Sequence, residues 1–216
     1  MNILQNGVAV VDGDTHHGVW CAEQGLVHDK WFAGEITKHL KPGDVAIDCG
    51  ANIGTLTKAM LDAGAIVMAV DANKKALECL AKNCESESLF ILHAAISDLP
   101  GNVRLVENQN AGKSHCEPDG DIQTVALDSL PIDGDVKLIK MDIEGFEAKA
   151  IRGARNLIRR CKPVMIVEVN SEALKRSGDS EDELLAIIEE VGYTWEIMQP
   201  DCKRGDDQYD VVCLPV

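Results

Sequence analysis

Acidic residues follow glycine-containing turns at several points of this 216-residue chain, where they could bind a small polar ligand. The first such stretch is Val45–Thr55, in which Asp48 ends an apolar run and Gly50 and Gly54 follow. A strand, a tight glycine turn and a helix start present free backbone N–H groups beyond the strand end. The stretch therefore predicts a binding turn, and neighbouring residues must indicate the ligand.

The glycine spacing argues against two common nucleotide sites. Gly50-Ala51-Asn52-Ile53-Gly54 lacks the central glycine of the G-x-G-x-x-G dinucleotide pattern. Gly112-Lys113-Ser114 follows no predicted strand and lacks the upstream glycine of a P-loop. Asp71 ends the next apolar run, where a carboxylate can accept both hydroxyls of a ribose. Asp48, the turn and Asp71 together favour a nucleoside with a charged amino-acid tail, which describes S-adenosylmethionine.

Candidate bases follow a later strand. Asp142 directly follows the apolar run Val136–Met141, and Glu144 lies two residues further on. A hydroxyl acceptor needs a base of suitable pKa within reach, and Asp142 is our first candidate, as base or as orienting group. Glu144 is equally compatible with a helix cap, and Glu147 is better explained by a structural role.

The histidines offer further candidates. His115 lies in the polar segment 107–115, a long glycine-containing loop that we interpret as part of an acceptor site or lid. It is a candidate for binding or deprotonating the substrate. His93 is compatible with either a cofactor pocket or a core position, and surface positions are expected for His16, His17 and His28.

A metal site is an alternative that we do not favour. Asp142, Glu168 and Asn170 lie at predicted strand ends, and oxygen ligands there could bind Mg²⁺. Polar residues at strand ends need not bind a metal. We therefore predict no metal ligands.

The elements that must position these residues alternate between strand and helix from residue 45 onward. Predicted strands at 45–48, 66–70, 89–93, 136–141 and 163–169 alternate with helical patterns, which indicates a mostly parallel sheet. Short strands are predicted at 8–11, 103–106 and 122–126, and a helix places Phe32, Ile36 and Leu40 on one face. A single helix is predicted from Phe146 to Ile158. A capping box at Ser180 precedes another helix, and 193–198 and 209–214 predict a final antiparallel hairpin.

Composition is that of an ordinary globular protein, with 45% apolar residues and no run long enough for a membrane helix. The formal net charge of −15 argues against nucleic-acid and membrane-surface partners. None of the eight cysteines forms a C-x-x-C pair, so reduced thiols in a cytoplasmic protein are expected. We expect one domain over residues 1–216, with 1–40 as a leader that covers the core at 41–216.

Motifs in the same order give the chain a family resemblance. It resembles the FkbM-type class I S-adenosylmethionine-dependent methyltransferases through five blocks: Lys41–Asp44 leading into Asp48–Gly54, Ala69–Asp71, Ala94–Asp98, Thr124–Leu130, and Leu138–Glu147 with Arg152–Ala154. The Asp-Ile-Glu-Gly-x-Glu block is the most specific. The first 30 residues match less distinctly.

The resemblance implies a Rossmann-like α/β fold, with a seven-stranded sheet, one antiparallel strand and helices on both faces. It also implies O-methylation of a small hydroxylated metabolite or sugar, with S-adenosylmethionine as cofactor. On this reading Asp142 lies beside the sulfonium and the acceptor. The cofactor-binding residues that the resemblance implies are Asp142 beside the sulfonium, Asp48, Gly50, Ala51, Asn52 and Gly54 near the methionine part, Asp71 and Ala72 near the ribose, and Ser97 and Asp98 towards the adenine.

Two other functional classes remain open at this point. One is a non-catalytic nucleoside-binding module, which the acidic residues Asp71 and Asp142 disfavour. The other is an NAD-dependent enzyme, which the missing glycine disfavours. No Asn-Pro-Pro-Tyr or Asp-Pro-Pro-Tyr segment is present, which argues against the amino-methylating nucleic-acid enzymes of this fold.

Overall fold

The structure is a computed structural model that describes residues 1–14, 22–26, 30–110, 113–198 and 207–216. His16, His17, His28, Cys21 and Cys202 lie outside these residues. The strands in chain order are β1 (Asn2–Ile3), β2 (Ala9–Val10), β3 (Val45–Cys49), β4 (Ile66–Asp71), β5 (Leu89–His93), β6 (Ala95–Ile96), β7 (Gly101–Val106), β8 (His115–Pro118), β9 (Ile122–Val125), β10 (Val136–Met141), β11 (Val164–Asn170), β12 (Tyr193–Ile197) and β13 (Gln208–Pro215).

The described helices are mostly short and lie between these strands. In chain order they are α1 (Lys30–Thr37), α2 (Thr55–Asp62), α3 (Lys74–Asn83), α4 (Glu147–Arg152), α5 (Arg155–Cys161), α6 (Ser171–Ser177) and α7 (Glu181–Glu190), with a 3₁₀ turn at Leu127–Ser129. Asn73 caps α3 by accepting from the N–H groups of Lys75 and Ala76, and Ser180 caps α7, as the sequence predicts. No helix in the described ranges combines the length and apolar character that crossing a bilayer requires.

The central sheet has seven strands in the order β12-β13-β11-β10-β3-β4-β5. β13 pairs antiparallel with both of its neighbours, whereas β11, β10, β3, β4 and β5 pair in parallel. The predicted mostly parallel sheet with one antiparallel strand is therefore confirmed. Its topology brings the carboxyl ends of β3, β4, β10 and β11 to one edge, where ligands of such sheets bind.

Apolar side chains bury both faces of this sheet. Ile139 of β10 packs with Ile151 and Ile158 of α4 and α5, while its neighbour Leu138 packs on the opposite side with Ile36 and Met60 of α1 and α2. Successive strand residues point to opposite faces, so these contacts require helices on both sides. Each buried side chain of this size contributes about 1.5–3 kcal/mol.

Helix boundaries differ from the sequence prediction in two places. The predicted helix from Phe146 to Ile158 is instead two helices, because the chain turns at Gly153, where a Cβ would lie 2.3 Å from the Ser97 carbonyl oxygen. Asp128 binds the start of α5 by accepting from the N–H groups of Asn156 and Leu157 at 2.9 and 2.7 Å. Helix α6 follows β11 directly and was not predicted.

A second, four-stranded sheet has the order β6-β9-β7-β8. Within it β7 pairs antiparallel with β8, and Val106 lies opposite His115. His115 therefore lies on a strand and not in the predicted 107–115 loop, because pairing with β7 resumes at this residue.

The first 40 residues pack against the core where they are described. Asn83 of α3 accepts from the Ala9 N–H at 2.7 Å and donates to the Ala9 carbonyl at 2.9 Å, while Phe32 and Ile36 are buried against α2. Their role as a cover and the single-domain organisation stay predictions. None of the six cysteines in the described ranges forms a disulfide, and all but Cys116 are buried.

Candidate functional site

The turn after β3 lies against the end of β10. Gly50 has φ of +80°, and a Cβ there would lie 1.8 Å from the Asp142 carbonyl oxygen. The N–H groups of Gly50 and Ala51 both donate to the Val70 carbonyl, at 2.9 and 3.2 Å. Glycine is therefore required at position 50, and the turn is fixed to both neighbouring strands.

Asp71 at the end of β4 is held by backbone donors. Its two carboxylate oxygens accept from the N–H groups of Asn52 at 2.8 Å and Asn73 at 2.7 Å. Burial raises the pKa of Asp71, and these two hydrogen bonds lower it in part. Each oxygen keeps acceptor capacity, so the oriented carboxylate can bind a pair of hydroxyl groups.

Lys140 is a buried cation between two carboxylates, and the sequence analysis did not identify it. Its Nζ donates to the Gly50 carbonyl at 3.0 Å and lies 3.6 Å from Asp48 Oδ1 and 3.5 Å from Asp142 Oδ2. Burial lowers the pKa of Lys140, but the Asp142 and Asp48 charges more than compensate, so its pKa lies above the usual range. Asp48 is fully buried and also accepts from Thr57 Oγ1 at 2.6 Å. The only sequence signal for this site was a lysine in an apolar strand.

Three carboxylates converge at the ends of β10 and β11. Oxygens of Asp142, Glu144 and Glu168 lie within 4.8 Å of one another, a spacing that could hold a metal ion. Burial, followed by the Asp142 charge, raises the pKa of Glu144 to about 7 and that of Glu168 well above its usual range. Glu168 Oε1 accepts from Gln208 Nε2 at 2.7 Å.

Asn170, which the metal alternative includes, has a different role. Its Oδ1 accepts from the Ala173 N–H at 3.1 Å and so caps α6. Glu147 accepts from the N–H groups of Ile143 and Gly145 at 2.8 and 3.3 Å, so it shapes the chain between β10 and α4. Glu144 makes no such cap bond and faces the cavity.

The turn, Asp71 and the three carboxylates line one cavity of about 300 Å³. This volume is at the lower end of the range for small-molecule sites. His115 on β8 also lines this cavity, and its Nε2 lies 3.6 Å from Glu117 Oε1. Asn110, Lys113 and Ser114 also line the cavity and belong to the polar segment 107–115 that the sequence analysis interprets as part of an acceptor site or lid. The sequence analysis did not assign four further wall residues: Leu105, Cys116, Phe146 and Gln208.

Of the site residues expected from the sequence, all but Gly54, Ser97 and Asp98 line this cavity. A Cβ at Gly54 would lie 2.7 Å from Cys84 Sγ, so this glycine serves the packing of the turn against α3. Ser97 and Asp98 do not line the cavity, and Ser97 Oγ donates to Asp98 Oδ1 at 3.2 Å. The preceding residues Ala94, Ala95 and Ile96 form this part of the cavity wall. His93 is exposed, neither in the cavity nor in the core, and its Nε2 contacts the Ala72 carbonyl at 3.0 Å.

Comparison with known families finds one match that covers most of the site. A sequence model of the methyltransferase FkbM domain matches residues 48–194, from the end of β3 to the start of β12. A comparison with curated protein sequences found no significant relative.

Solved structures with the same fold include three methyltransferases. A methyltransferase FkbM from Methylobacillus flagellatus KT is 15% identical with a TM-score of 0.54, and the alignment covers 91% of this chain but 58% of that one. Magnesium protoporphyrin IX methyltransferase from Synechocystis PCC 6803, with bound SAM, is 12% identical over 90% and 80% of the chains, with a TM-score of 0.53. An rRNA methylase from Streptococcus thermophilus is 11% identical over 86% and 95%, with a TM-score of 0.55. At these identities the likeness shows the fold alone.

Proposed function

The chain belongs to the FkbM methyltransferase family, and from this premise we propose that it methylates a hydroxyl of a small metabolite or sugar with S-adenosylmethionine. One observation carries the proposal. The oriented Asp71 carboxylate and the carboxylate group formed by Asp142, Glu144 and Glu168 line the same cavity. One cavity therefore offers a carboxylate that can bind the ribose of the cofactor and a second carboxylate that can act as base towards the acceptor.

The residues of the cavity fit the cofactor. Asp71 would accept from the ribose hydroxyls, and the Gly50 turn leaves room for a ligand close to the backbone. Asn52 Oδ1 is buried and lacks a hydrogen-bond partner within the described chain, so it can accept from an amino group. Ala72, Ala94 and Ile96 supply apolar wall for a base.

When bound, S-adenosylmethionine supplies an electrophilic methyl group, which moves to the acceptor oxygen as the carbon–sulfur bond breaks and its electron pair stays on sulfur. The acceptor hydroxyl must lose a proton, and we assign that proton to the Glu144 carboxylate because its pKa of about 7 suits a base at neutral pH. Asp142, next to the Lys140 ammonium, would orient the acceptor. His115, which also lines the cavity, is the alternative base.

A small acceptor is favoured over nucleic acid by charge. The net charge of −15 disfavours binding to a negatively charged phosphate backbone. The rRNA methylase shares the fold, and fold does not choose the acceptor.

Ligand binding separates this function from the two alternatives. We expect S-adenosylhomocysteine to raise the thermal unfolding temperature and NAD to leave it unchanged. Methyl transfer to a panel of hydroxylated metabolites and sugars would then exclude a non-catalytic module. Stabilisation by NAD alone would contradict the proposed cofactor.

Asp71→Ala should weaken cofactor binding. The change removes a charged acceptor, and even one hydrogen bond to such a group is worth about 1.5–3 kcal/mol, so we expect the dissociation constant of S-adenosylhomocysteine to rise by at least about 10- to 100-fold. Isothermal titration calorimetry would measure it. Asp62→Ala on the exposed side of α2 is the matched control and should bind like the wild type. Equal affinity in both variants would exclude Asp71 from the ribose site.

Methyl transfer should not require a divalent metal. Positive charge already faces the carboxylates, because Lys140 lies 3.5 Å from Asp142 Oδ2 and Arg176 lies 3.7 Å from Glu144 Oε2. Turnover should therefore be unchanged after exhaustive treatment with EDTA. Activity that is lost with EDTA and restored by Mg²⁺ would instead support a metal site.

A further inference from the structure

The backbone that carries Glu144 has an unusual conformation. Glu144 and the following Gly145 have φ angles of +52° and +104°, both in the left-handed region. A residue with a side chain rarely adopts this region unless its surroundings hold it there. The turn that directs Glu144 into the cavity therefore needs support from elsewhere.

Helix α6 provides that support. Arg176 Nη2 donates to the Glu144 carbonyl at 3.2 Å, and Ser177 Oγ donates to the Gly145 carbonyl. A Cβ at Gly145 would lie 2.2 Å from the Ala173 carbonyl oxygen, so the turn lies directly against the helix backbone. The end of α6 thus binds both carbonyls of the left-handed turn.

Arg176 also contacts the side chain of Glu144. Its Nη2 lies 3.7 Å from Glu144 Oε2, so one guanidinium meets both the carbonyl and the carboxylate of the same residue. The other charged groups that face Glu144 are the acidic Asp142, Glu147 and Glu168 and the basic Lys113. A planar guanidinium with several donors can hold two acceptors in a fixed geometry, which a single ammonium cannot do equally well.

The end of α6, which carries Arg176, is also bonded to α4. Lys149 of α4 donates to the Ser177 carbonyl at 2.7 Å and to Asp179 Oδ2 at 2.6 Å. Arg152 donates to Asp179 Oδ1 at 2.6 Å, and Asp179 is buried. These bonds join the end of α6 to the helix that follows the Glu144 turn.

We propose that Arg176 is a positioning residue for methyl transfer, which holds the Glu144 carboxylate in the orientation that faces the acceptor. This inference rests on the proposed role of Glu144 as base. Arg176 itself does not line the cavity, so it acts through Glu144 and not on the substrate.

The test compares Arg176→Met with Arg176→Lys in the full chain, using an acceptor found in the panel. We expect Arg176→Met to lower kcat about 10- to 100-fold, because a misplaced catalytic group is costly, while KM for the cofactor stays at the wild-type value. The unfolding temperature should fall only slightly, because an ion pair of a partly exposed arginine contributes at most about 1 kcal/mol. Arg176→Lys should restore part of kcat. The pH at which kcat rises should move upward in Arg176→Met, because a cation next to the carboxylate is lost. Lys175→Met, its exposed neighbour on α6, is the control and should behave like the wild type.

Each other outcome overturns one specific claim. Wild-type kcat and pH dependence in Arg176→Met, with Glu144→Gln inactive, would overturn the positioning role and leave the base assignment intact. Lower kcat with lower unfolding temperature and an unmoved pH dependence would make Arg176 a structural residue only. Full activity in both Arg176→Met and Glu144→Gln would refute the base assignment itself.

Discussion

Glu144→Gln is expected to lower kcat about 10²- to 10⁴-fold, the usual contribution of a general base. Glutamine keeps the size of the side chain and can still accept from Arg176, but it cannot take the acceptor proton. Glu144 is not among the groups proposed to hold the cofactor, so the dissociation constant for S-adenosylhomocysteine should not change. Steady-state methyl transfer and calorimetric titration of the same preparation would measure both quantities.

The pH dependence of the wild-type enzyme provides a second measure of Glu144. Burial, then the charges of Asp142 and Glu147, raise its pKa to about 7. A base acts only in its ionised form, so kcat should be low below this pH and rise as the pH increases through it. In Glu144→Gln this rise should be absent.

The control for this experiment is Glu172→Gln, which removes an exposed carboxylate on α6 and should leave kcat and its pH dependence unchanged. If Glu144→Gln keeps wild-type turnover, the base is elsewhere. Asp142→Asn and His115→Gln would then discriminate the other two candidates, because both residues line the cavity.

The sheet and the cofactor side of the site could be predicted because their signals are local in sequence. Strands such as Val45–Cys49 and Ile66–Asp71 are apolar except for one acidic residue at or next to their carboxyl end, and a helical pattern follows each, which favours a parallel order. In a parallel sheet the strand ends meet at one edge, so Asp48, Asp71 and Asp142 had to lie together. Position 50 requires glycine for a steric reason, because no side chain fits beside the Asp142 carbonyl.

The support of the site could not be predicted, because it depends on contacts between distant segments. Arg176 and Glu144 are 32 residues apart, and α6 gives only a weak helical pattern over its seven residues. Helix α4 ends before Gly153, where the Ser97 backbone leaves no room for a side chain, and Ser97 belongs to a distant part of the chain. Ser97 and Asp98 do not line the cavity, although the residues just before them do. The direction of a side chain that follows a short strand depends on the segments packed against it, and these are distant in sequence.

Lys140 is the clearest case of a site residue that could not be predicted from the sequence. Of the variants considered, we expect Lys140→Met to have the largest effect on stability. Lysine rarely occupies a buried strand position unless it is paired, yet its side chain is 5% exposed beside Asp48, which is 1% exposed. Removing one partner of a buried ion pair leaves an uncompensated charge, so we expect a loss of about 3–5 kcal/mol in the free energy of unfolding. Urea denaturation at pH 7 would measure it.

The cause of this loss can be isolated with two further variants. Lys137→Met, on the same strand but paired with Asp135 at the surface, should change stability little. The double variant Lys140→Met/Asp48→Asn removes one of the two charges left behind, so it should be more stable than Lys140→Met alone. A Lys140→Met protein as stable as the wild type would mean that the two aspartates need no cation. The lysine in this family block would then serve the cofactor or the acceptor, and not the fold.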